Sequence, residues 1–251
     1  MAFIQFHFFS ETLDMQTEAY VIIPQKKTSG QIGVDTNARN EKYKCLYLLH
    51  GLSDDHTIWM RRTSIERYAD KYGICVVMPC ALKSFYCNMS CGLNYYDYVA
   101  RELPRVICEF FNVSDKREDN FVGGLSMGGY GALKIALRES DRFSAAIGLS
   151  SLTDFFDPQK SAARSQIFGE QCPLTEEDDL FYLADQCANS QQKPKIFMAV
   201  GTQDFLYGEN VRYRDKLSSL GYELEYVEEP GYHNWDFWDK HIQTALKWLL
   251  G

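Results

Sequence analysis

The sequence predicts an α/β fold in which helices cover both faces of a mostly parallel central sheet. From residue 43 onward, short apolar segments alternate with longer segments of helical spacing. The apolar segments, such as residues 196–200, are continuously hydrophobic, as expected for parallel strands that are buried on both faces. The length of 251 residues suits one domain of this class, so we expect a single domain over residues 1–251.

The elements follow from the pattern in chain order. Two apolar segments, 3–9 and 18–23, are separated by turn-like residues and predict an antiparallel hairpin, and the polar segment 26–42 predicts a surface loop. The later predicted strands are 43–49, 74–78, 121–124, 145–149, 195–200 and 222–227. The predicted helices are 58–72, 95–111, 129–138, 210–220 and 235–250. Within 95–111, Pro104 lacks an N–H group and is expected to bend the helix.

The segment 150–192 interrupts this alternation. It is more polar than the rest of the chain and contains Pro158 and Pro173. We interpret it as a cap-like insertion over the C-terminal edge of the sheet rather than as a second domain.

Charge and composition exclude several classes of function. The formal net charge of -8 argues against a nucleic-acid or anionic-membrane surface. No apolar run approaches the roughly 20 residues that span a bilayer, and the N-terminus lacks the basic start of a secretory signal. The eight cysteines are scattered, which predicts a cytoplasmic protein without a disulfide framework. A pair between Cys87 and Cys91, which share a loop, stays open.

The pentapeptide Gly124-Leu125-Ser126-Met127-Gly128 is a G-x-S-x-G motif between a predicted strand and a predicted helix. A serine on such a sharp turn projects its hydroxyl from the end of the sheet, where it can act as a nucleophile. A bare motif of this kind occurs by chance, but its flanks make Ser126 the candidate nucleophile.

A serine hydroxyl needs a base that accepts its proton and an acid that orients the base. Such triads on α/β sheets follow the chain order Ser, acid, His. The candidate base is His233, in a Pro-Gly loop between the last strand and the last helix. The candidate acid is Asp204, in the loop after the strand 195–200, and Asp154 and Asp157 are its competitors.

The tetrahedral intermediate of acyl transfer needs N–H donors for its oxyanion. One candidate is the backbone N–H of Met127, directly after the nucleophile. The other is the N–H of Leu52 in the loop His50-Gly51-Leu52, which departs from the HGGG form of this loop. We expect His50 to be a structural side chain that supports the loop.

Aromatic side chains at the predicted loop ends are candidates for the walls of an acyl or alcohol pocket. Most aromatic residues of such a chain belong to its core, which is the competing interpretation for each. The candidates are Trp59, Tyr86, Tyr95, Tyr96, Phe205 and Trp235.

Motifs spread over nearly the whole chain resemble the esterase D-like branch of the α/β hydrolases, and most closely the small bacterial tributyrin or acetyl esterases. These motifs comprise residues 48–52 with Trp59, then 62–63, 76–79, 95–98, 102–104, 124–131, 201–206 and 233–235. The resemblance implies an α/β-hydrolase fold and hydrolysis of short-chain acyl esters through an acyl-serine, without a metal or cofactor. It places the nucleophile on Ser126, the acid on Asp204 and the base on His233.

We therefore expect a serine carboxylesterase whose partner is a small-molecule ester of the acetyl or butyryl type. An acyltransferase on the same triad stays open, because both reactions share the acyl-enzyme. Hydrolysis of S-formylglutathione or of hydroxycinnamoyl esters is also an alternative, and a homo-oligomer is not excluded. The loop 80–93 shows no pattern of the resembling family.

Overall fold

The computed structural model describes residues 1–25, 42–157, 160–169 and 175–251. Its strands are β1 (Ala2–Ser10), β2 (Met15–Ile23), β3 (Cys45–Leu49), β4 (Cys75–Pro79), β5 (Asn120–Leu125), β6 (Ala145–Leu149), β7 (Lys195–Gly201) and β8 (Leu224–Glu229). Within the described ranges these strands form one sheet of order β1-β2-β4-β3-β5-β6-β7-β8. The β1–β2 and β2–β4 pairs are antiparallel and all others are parallel, which confirms the predicted hairpin and fold class.

Helices cover both faces of the sheet. They are α1 (Ile58–Arg62), α2 (Ile65–Tyr72), α3 (Tyr95–Asp97), α4 (Leu103–Phe110), α5 (Met127–Arg138), α6 (Ser161–Phe168), α7 (Leu180–Ala188), α8 (Tyr207–Ser219) and α9 (Trp235–Leu250). None of these helices has both the length and the apolar composition required to cross a bilayer. The predicted surface loop 26–42 lies almost wholly outside the described residues, as do Pro158, Cys172 and Pro173.

The hydrophobic core forms two layers, one on each face of the sheet. Along β3, Cys45, Tyr47 and Leu49 point into one layer, and Leu46 and Leu48 point into the other. All five are buried, because helices pack on both sides. This double burial explains why the strands read as continuous apolar runs rather than as an alternating pattern.

The prediction of one helix over 58–72 is wrong, because the chain breaks it into α1 and α2. The backbone of Thr63 is extended, with φ -134° and ψ 173°. The Thr63 hydroxyl donates to the carbonyl of Trp59 at 2.7 Å and accepts from the N–H of Ile65 at 3.1 Å. The Thr63 hydroxyl thus takes the N–H of Ile65, which a continuous helix would give to a backbone carbonyl, while the Thr63 N–H still donates to the carbonyl of Trp59 at 3.1 Å.

The predicted distortion in 95–111 occurs, but as a widened π-helical turn over Tyr98–Glu102 between α3 and α4. Pro104 lies in the first turn of α4 and has no N–H to offer the carbonyl of Ala100. The guanidinium of Arg142 donates to that carbonyl at 3.2 Å instead. A distant side chain therefore satisfies the acceptor that proline leaves without its helical partner.

The Cys87–Cys91 disulfide that the sequence left open is not formed. Cys87 is buried and Cys91 is exposed, and both are free thiols. Cys87 instead lies against the Lys134 ammonium, whose Nζ donates to its sulfur at 2.9 Å.

Lys134 of α5 is fully buried and forms an ion pair with the segment 150–192. Its Nζ donates to Asp178 Oδ1 at 2.9 Å, and Thr175 donates to the other carboxylate oxygen at 2.7 Å. Burial by itself would raise the pKa of Asp178, but Lys134 and these hydrogen bonds lower it below its ordinary value. Asp178 therefore stays ionised and joins this segment to the helix that follows Ser126.

We predict that Asp178→Asn lowers the free energy of unfolding by about 3–5 kcal/mol at neutral pH, because it leaves the buried Lys134 charge without its partner. The matched control is Glu177→Gln, which removes the exposed partner of Arg138 and should cost less than about 1 kcal/mol. Urea unfolding measures both. Equal, small losses in the two variants would contradict the prediction.

The pH dependence has a defined sign, because the pKa of Asp178 is lower in the folded than in the unfolded chain. Its stabilisation is complete above the unfolded pKa of about 3.9 and disappears as pH falls through the lower folded value. The difference in unfolding free energy between the parent protein and Asp178→Asn should therefore shrink only below about pH 4.

Candidate active site

Three polar side chains meet at the C-terminal edge of the sheet, each on a loop that follows a different strand. Ser126 follows β5, Asp204 follows β7 and His233 follows β8. The Ser126 hydroxyl lies 3.0 Å from His233 Nε2, and His233 Nδ1 lies 2.8 Å from Asp204 Oδ2. A continuous hydrogen-bonded chain thus joins a hydroxyl, an imidazole and a carboxylate that are far apart in sequence.

Ser126 occupies a strained turn between β5 and α5, with φ 52° and ψ -116°. A non-glycine residue rarely adopts this region of backbone space, and such strained positions cluster at functional sites. The N–H of Ser126 donates to the carbonyl of Leu149 at 2.9 Å, which fixes the turn to the end of β6. The side chain is consequently presented above the sheet edge, with the N-terminus of α5 directly behind it.

The two glycines of the pentapeptide are required by the closeness of this turn. A Cβ on Gly124 would lie 2.4 Å from the carbonyl oxygen of Gly128. A Cβ on Gly128 would lie 2.5 Å from the carbonyl oxygen of Leu49 and 2.6 Å from that of His50. These obstacles are backbone atoms, so any side chain would displace the turn that holds the serine.

The loop that carries His233 is held by its neighbours on several sides. The ring of Trp238 meets the imidazole edge-on at a centroid distance of 4.9 Å, and the ring of Phe205 lies 4.5 Å away. The Gln203 side chain accepts from the N–H of Gly231 at 2.6 Å, and the Gln203 N–H donates to the Gly231 carbonyl at 3.0 Å. These contacts fix the imidazole relative to the loop of Asp204.

Asp204 is buried, and its carboxylate is oriented by its own turn. Asp204 Oδ1 accepts from the N–H of Leu206 at 2.9 Å, and His233 Nδ1 lies 2.8 Å from Oδ2 and 3.1 Å from Oδ1. The competing carboxylate of Asp154 instead pairs with Arg212 at 3.0 Å. Asp157 lies further along that loop, where its carbonyl accepts from Arg164 at 2.7 Å.

His50 supports the loop after β3 and is buried. Its Nε2 accepts from the N–H of Ala81 at 3.0 Å, and its Nδ1–H donates to the carbonyl of Gly51 at 2.8 Å. Burial lowers the pKa of His50 to about 4, so the ring is neutral at neutral pH and keeps this one tautomer. Its contacts are those of a structural side chain, as we expected.

The aromatic pocket candidates separate into two groups. Trp59 and Tyr95 expose almost no surface, so they cannot wall a site that is open to solvent. The indole N–H of Trp59 donates to the carbonyl of Leu49 at 3.0 Å, which places the ring in the core. Trp235 is half-buried against Trp59, and Phe205 has 78% of its surface exposed beside His233. The remaining two candidates, Tyr86 and Tyr96, are also buried.

Sequence reasoning missed the residues that support the site from α8 and α9. The Glu209 carboxylate accepts from the N–H of Thr153 at 2.7 Å, and the Asn210 amide donates to the carbonyl of Ser151 at 2.7 Å. Trp238 lies one turn after the predicted start of α9, on the helix face that turns towards His233. The sequence shows Glu209 and Asn210 as polar residues early in α8, but it does not show that they are buried or which groups they bind.

Comparison with known proteins identifies the family of this chain. A family model described as "Putative esterase" matches residues 10–249. An acetyl esterase of Caldicellulosiruptor saccharolyticus is 32% identical over 99% of this chain and 98% of its own length.

Two solved structures from Staphylococcus aureus share 36% sequence identity with this chain. One is the substrate-bound fluorophosphonate-binding serine hydrolase FphF, with a TM-score of 0.86 over 100% of this chain and 98% of that one. The other is the S-formylglutathione hydrolase FrmB, with a TM-score of 0.85 over 100% and 99%. A ferulic acid esterase at 21% identity and a TM-score of 0.83 shares the fold.

The family model matches residues 10–249, and the acetyl esterase and the two Staphylococcus aureus structures each match 99–100% of this chain. The chain therefore belongs to the family described as "Putative esterase" and is a serine esterase, a carboxylic ester hydrolase with the α/β-hydrolase fold.

Proposed function

We propose that Ser126, His233 and Asp204 form the catalytic triad of this esterase. The observation that carries the proposal is the hydrogen-bonded chain from the Ser126 hydroxyl to His233 Nε2, 3.0 Å, and from His233 Nδ1 to Asp204 Oδ2, 2.8 Å. Serine alone is a weak nucleophile, and an adjacent imidazole activates it by accepting its proton. The buried carboxylate holds the imidazole in the tautomer that leaves Nε2 free to accept.

The reaction then proceeds in two halves. Ser126 Oγ attacks the ester carbonyl while His233 accepts the hydroxyl proton, and the resulting imidazolium protonates the leaving alcohol. Water next attacks the acyl-serine and gives its proton to His233, which returns it to Ser126 Oγ as the acid leaves. Asp204 accepts the hydrogen bond from His233 Nδ1 and stabilises the imidazolium.

The oxyanion of each tetrahedral intermediate would be held by the N–H groups of Met127 and Leu52. Met127 is the first residue of α5, where N–H groups have no partner within the helix. The Gly51 carbonyl accepts from His50 Nδ1–H at 2.8 Å and from the Asp54 N–H at 3.2 Å. In a trans peptide the N–H points opposite to the carbonyl, so these bonds turn the Leu52 N–H away from His50.

The described part of residues 150–192 supports the interpretation of a small cap. Phe155 stacks on Phe85 of the loop after β4 at a centroid distance of 4.9 Å. The carbonyl of Ile167 in α6 accepts from the N–H of Ser90 at 2.8 Å. This segment thus packs on loops at the sheet edge that carries Ser126, and Phe205 and Trp235 are the aromatic candidates at the mouth of the site.

We propose that the substrates are small acyl esters, in particular acetyl esters of small alcohols or sugars. The named acetyl esterase relative, similar over its whole length, supports this choice. S-formylglutathione is the second candidate, because one similar structure is a hydrolase of this thioester. The seven described cysteines are all free, which supports a reducing, cytoplasmic setting.

Ser126→Ala should abolish turnover of p-nitrophenyl acetate, because it removes the nucleophile and leaves the turn intact. The residual rate should be at least about 10³-fold below that of the parent. Covalent labelling by an organophosphonate, followed by mass spectrometry, should modify Ser126 in the parent and nothing in the variant. Near-parental turnover with an unchanged melting temperature would refute the nucleophile assignment.

Asp204→Asn should lower kcat by about 10³- to 10⁴-fold with little change in KM, because the imidazole loses the acceptor that fixes its tautomer. The matched control is Asp154→Asn, which removes a carboxylate that pairs with Arg212 rather than with His233. The control should keep kcat within about threefold of the parent, a loss of under 1 kcal/mol in barrier. A large loss of kcat in Asp154→Asn with a small loss in Asp204→Asn would instead assign the triad acid to Asp154.

The substrate class is tested by one assay series on the parent enzyme. Esters of p-nitrophenol with acyl chains from acetyl to octanoyl should give kcat/KM values that fall as the chain lengthens beyond butyryl. S-formylglutathione is measured beside them, and a higher kcat/KM for this thioester would replace the acetyl-ester assignment. Adding an alcohol separates hydrolysis from acyl transfer, because transfer diverts the acyl group into a new ester.

A further inference from the structure

Glu18, His56 and Cys80 form a compact cluster outside the proposed triad. Glu18 lies in β2, His56 lies in the loop between β3 and α1, and Cys80 directly follows β4. The ligand atoms of the three side chains all lie within 4.8 Å of one another. The backbone places two of them side by side, because the N–H of Cys80 donates to the carbonyl of Glu18 at 3.1 Å.

His56 supplies a buried nitrogen that faces this cluster. Only 7% of the residue is exposed, and its Nδ1 has no hydrogen-bond partner among the described residues. Glu18 Oε1 lies 3.5 Å from this nitrogen, in a geometry that makes no hydrogen bond. The ring of Tyr20 packs edge-on against the imidazole at 4.6 Å and fixes its position. A buried nitrogen without a partner is costly, and this one is oriented towards Glu18 and Cys80, where a bound cation would satisfy it.

The three donors match the coordination chemistry of Zn²⁺. This ion takes thiolate sulfur, imidazole nitrogen and carboxylate oxygen at about 2.0–2.3 Å in a tetrahedron, which separates neighbouring donors by about 3.3–3.8 Å. The His56 Nδ1 to Glu18 Oε1 distance of 3.5 Å lies within that range. Water can occupy the fourth position, and the solvent-exposed side chains of His7 and Glu18 leave an entry path.

Charge also favours a cation here. The Glu18 and Asp55 carboxylates add negative charge around the Cys80 sulfur. On coordination the thiol releases its proton to water and a sulfur–metal bond forms, so one thiolate and one carboxylate neutralise a divalent ion.

We propose that Glu18, His56 and Cys80 form a transition-metal site of the zinc type that ties β2 to the loop after β3 and to the end of β4. Its donors include none of the proposed triad. Its position has a functional consequence: His56 ends the loop that begins at His50 and carries Leu52, and Cys80 precedes Ala81, which binds His50. A bound ion would brace both ends of the loop assigned to the oxyanion.

Titration of the full-length metal-free protein with Co²⁺ tests the site, because Co²⁺ replaces Zn²⁺ and reports its ligands by absorption. We expect one equivalent of Co²⁺ to produce a thiolate-to-cobalt charge-transfer band, and Zn²⁺ to displace it. Cys80→Ser should lose the band, and His56→Gln should bind more than about tenfold more weakly, since losing even an outer-shell partner costs that much. Zn²⁺ should also raise the melting temperature of the parent but not of these variants.

The matched control is Cys108→Ser, which removes another half-buried thiol, one that contacts the carbonyl of Ser114, and should keep the band and the affinity. Absence of the band in the parent, or its persistence in Cys80→Ser, would overturn the proposal. Loss of the band in Cys108→Ser would overturn it as well, because the thiolate would then come from elsewhere. If Cys80→Ser does not fold, Glu18→Gln takes its place, and parental Co²⁺ affinity in that variant would equally refute the site.

Discussion

The turn at Ser126 is the constraint on which the rest of the site depends. Its backbone, with φ 52° and ψ -116°, is one that a serine adopts only when the surrounding structure enforces it. That enforcement comes from β5 and α5 on either side and from the hydrogen bond to the carbonyl of Leu149. Because the turn is fixed, the hydroxyl, the N-terminus of α5 and the Met127 N–H keep one arrangement relative to the sheet edge.

The loops that carry Asp204, His233 and Leu52 are held in place around Ser126 by their own contacts. The loops of Asp204 and His233 bond to each other through Gln203 and Gly231, and Trp238 supports the imidazole from below. The loop of Leu52 is tied to the end of β4 through His50, which accepts from Ala81. Each functional group thus stands on a strand end and is held by a second contact from a neighbouring strand or helix, as preorganised catalysis requires.

Two clusters of polar side chains connect the elements around the site to other segments of the chain. Lys134 lies on the helix behind the serine turn and pairs with Asp178 of the segment 150–192, with the sulfur of Cys87 beside it. The Glu18, His56 and Cys80 cluster joins β2 to the loop after β3 and to the end of β4. There the backbone contributes as well, because the N–H of Cys80 donates to the carbonyl of Glu18 at 3.1 Å.

The sequence by itself determined the alternation of strands and helices, the serine turn and the order of Ser126, Asp204 and His233 along the chain. These features are local. Hydrophobic runs mark buried strands, and glycines mark positions where neighbouring backbone atoms lie too close for a side chain. The tertiary structure alone decided that the predicted helix 58–72 breaks at Thr63. It also decided that Trp59 and Tyr95 lie in the core rather than in a pocket, and that Asp178 forms an ion pair with Lys134. It also brought Glu18, His56 and Cys80 together. These outcomes depend on contacts between residues distant in sequence, and no periodicity or spacing along the chain encodes which of them will meet.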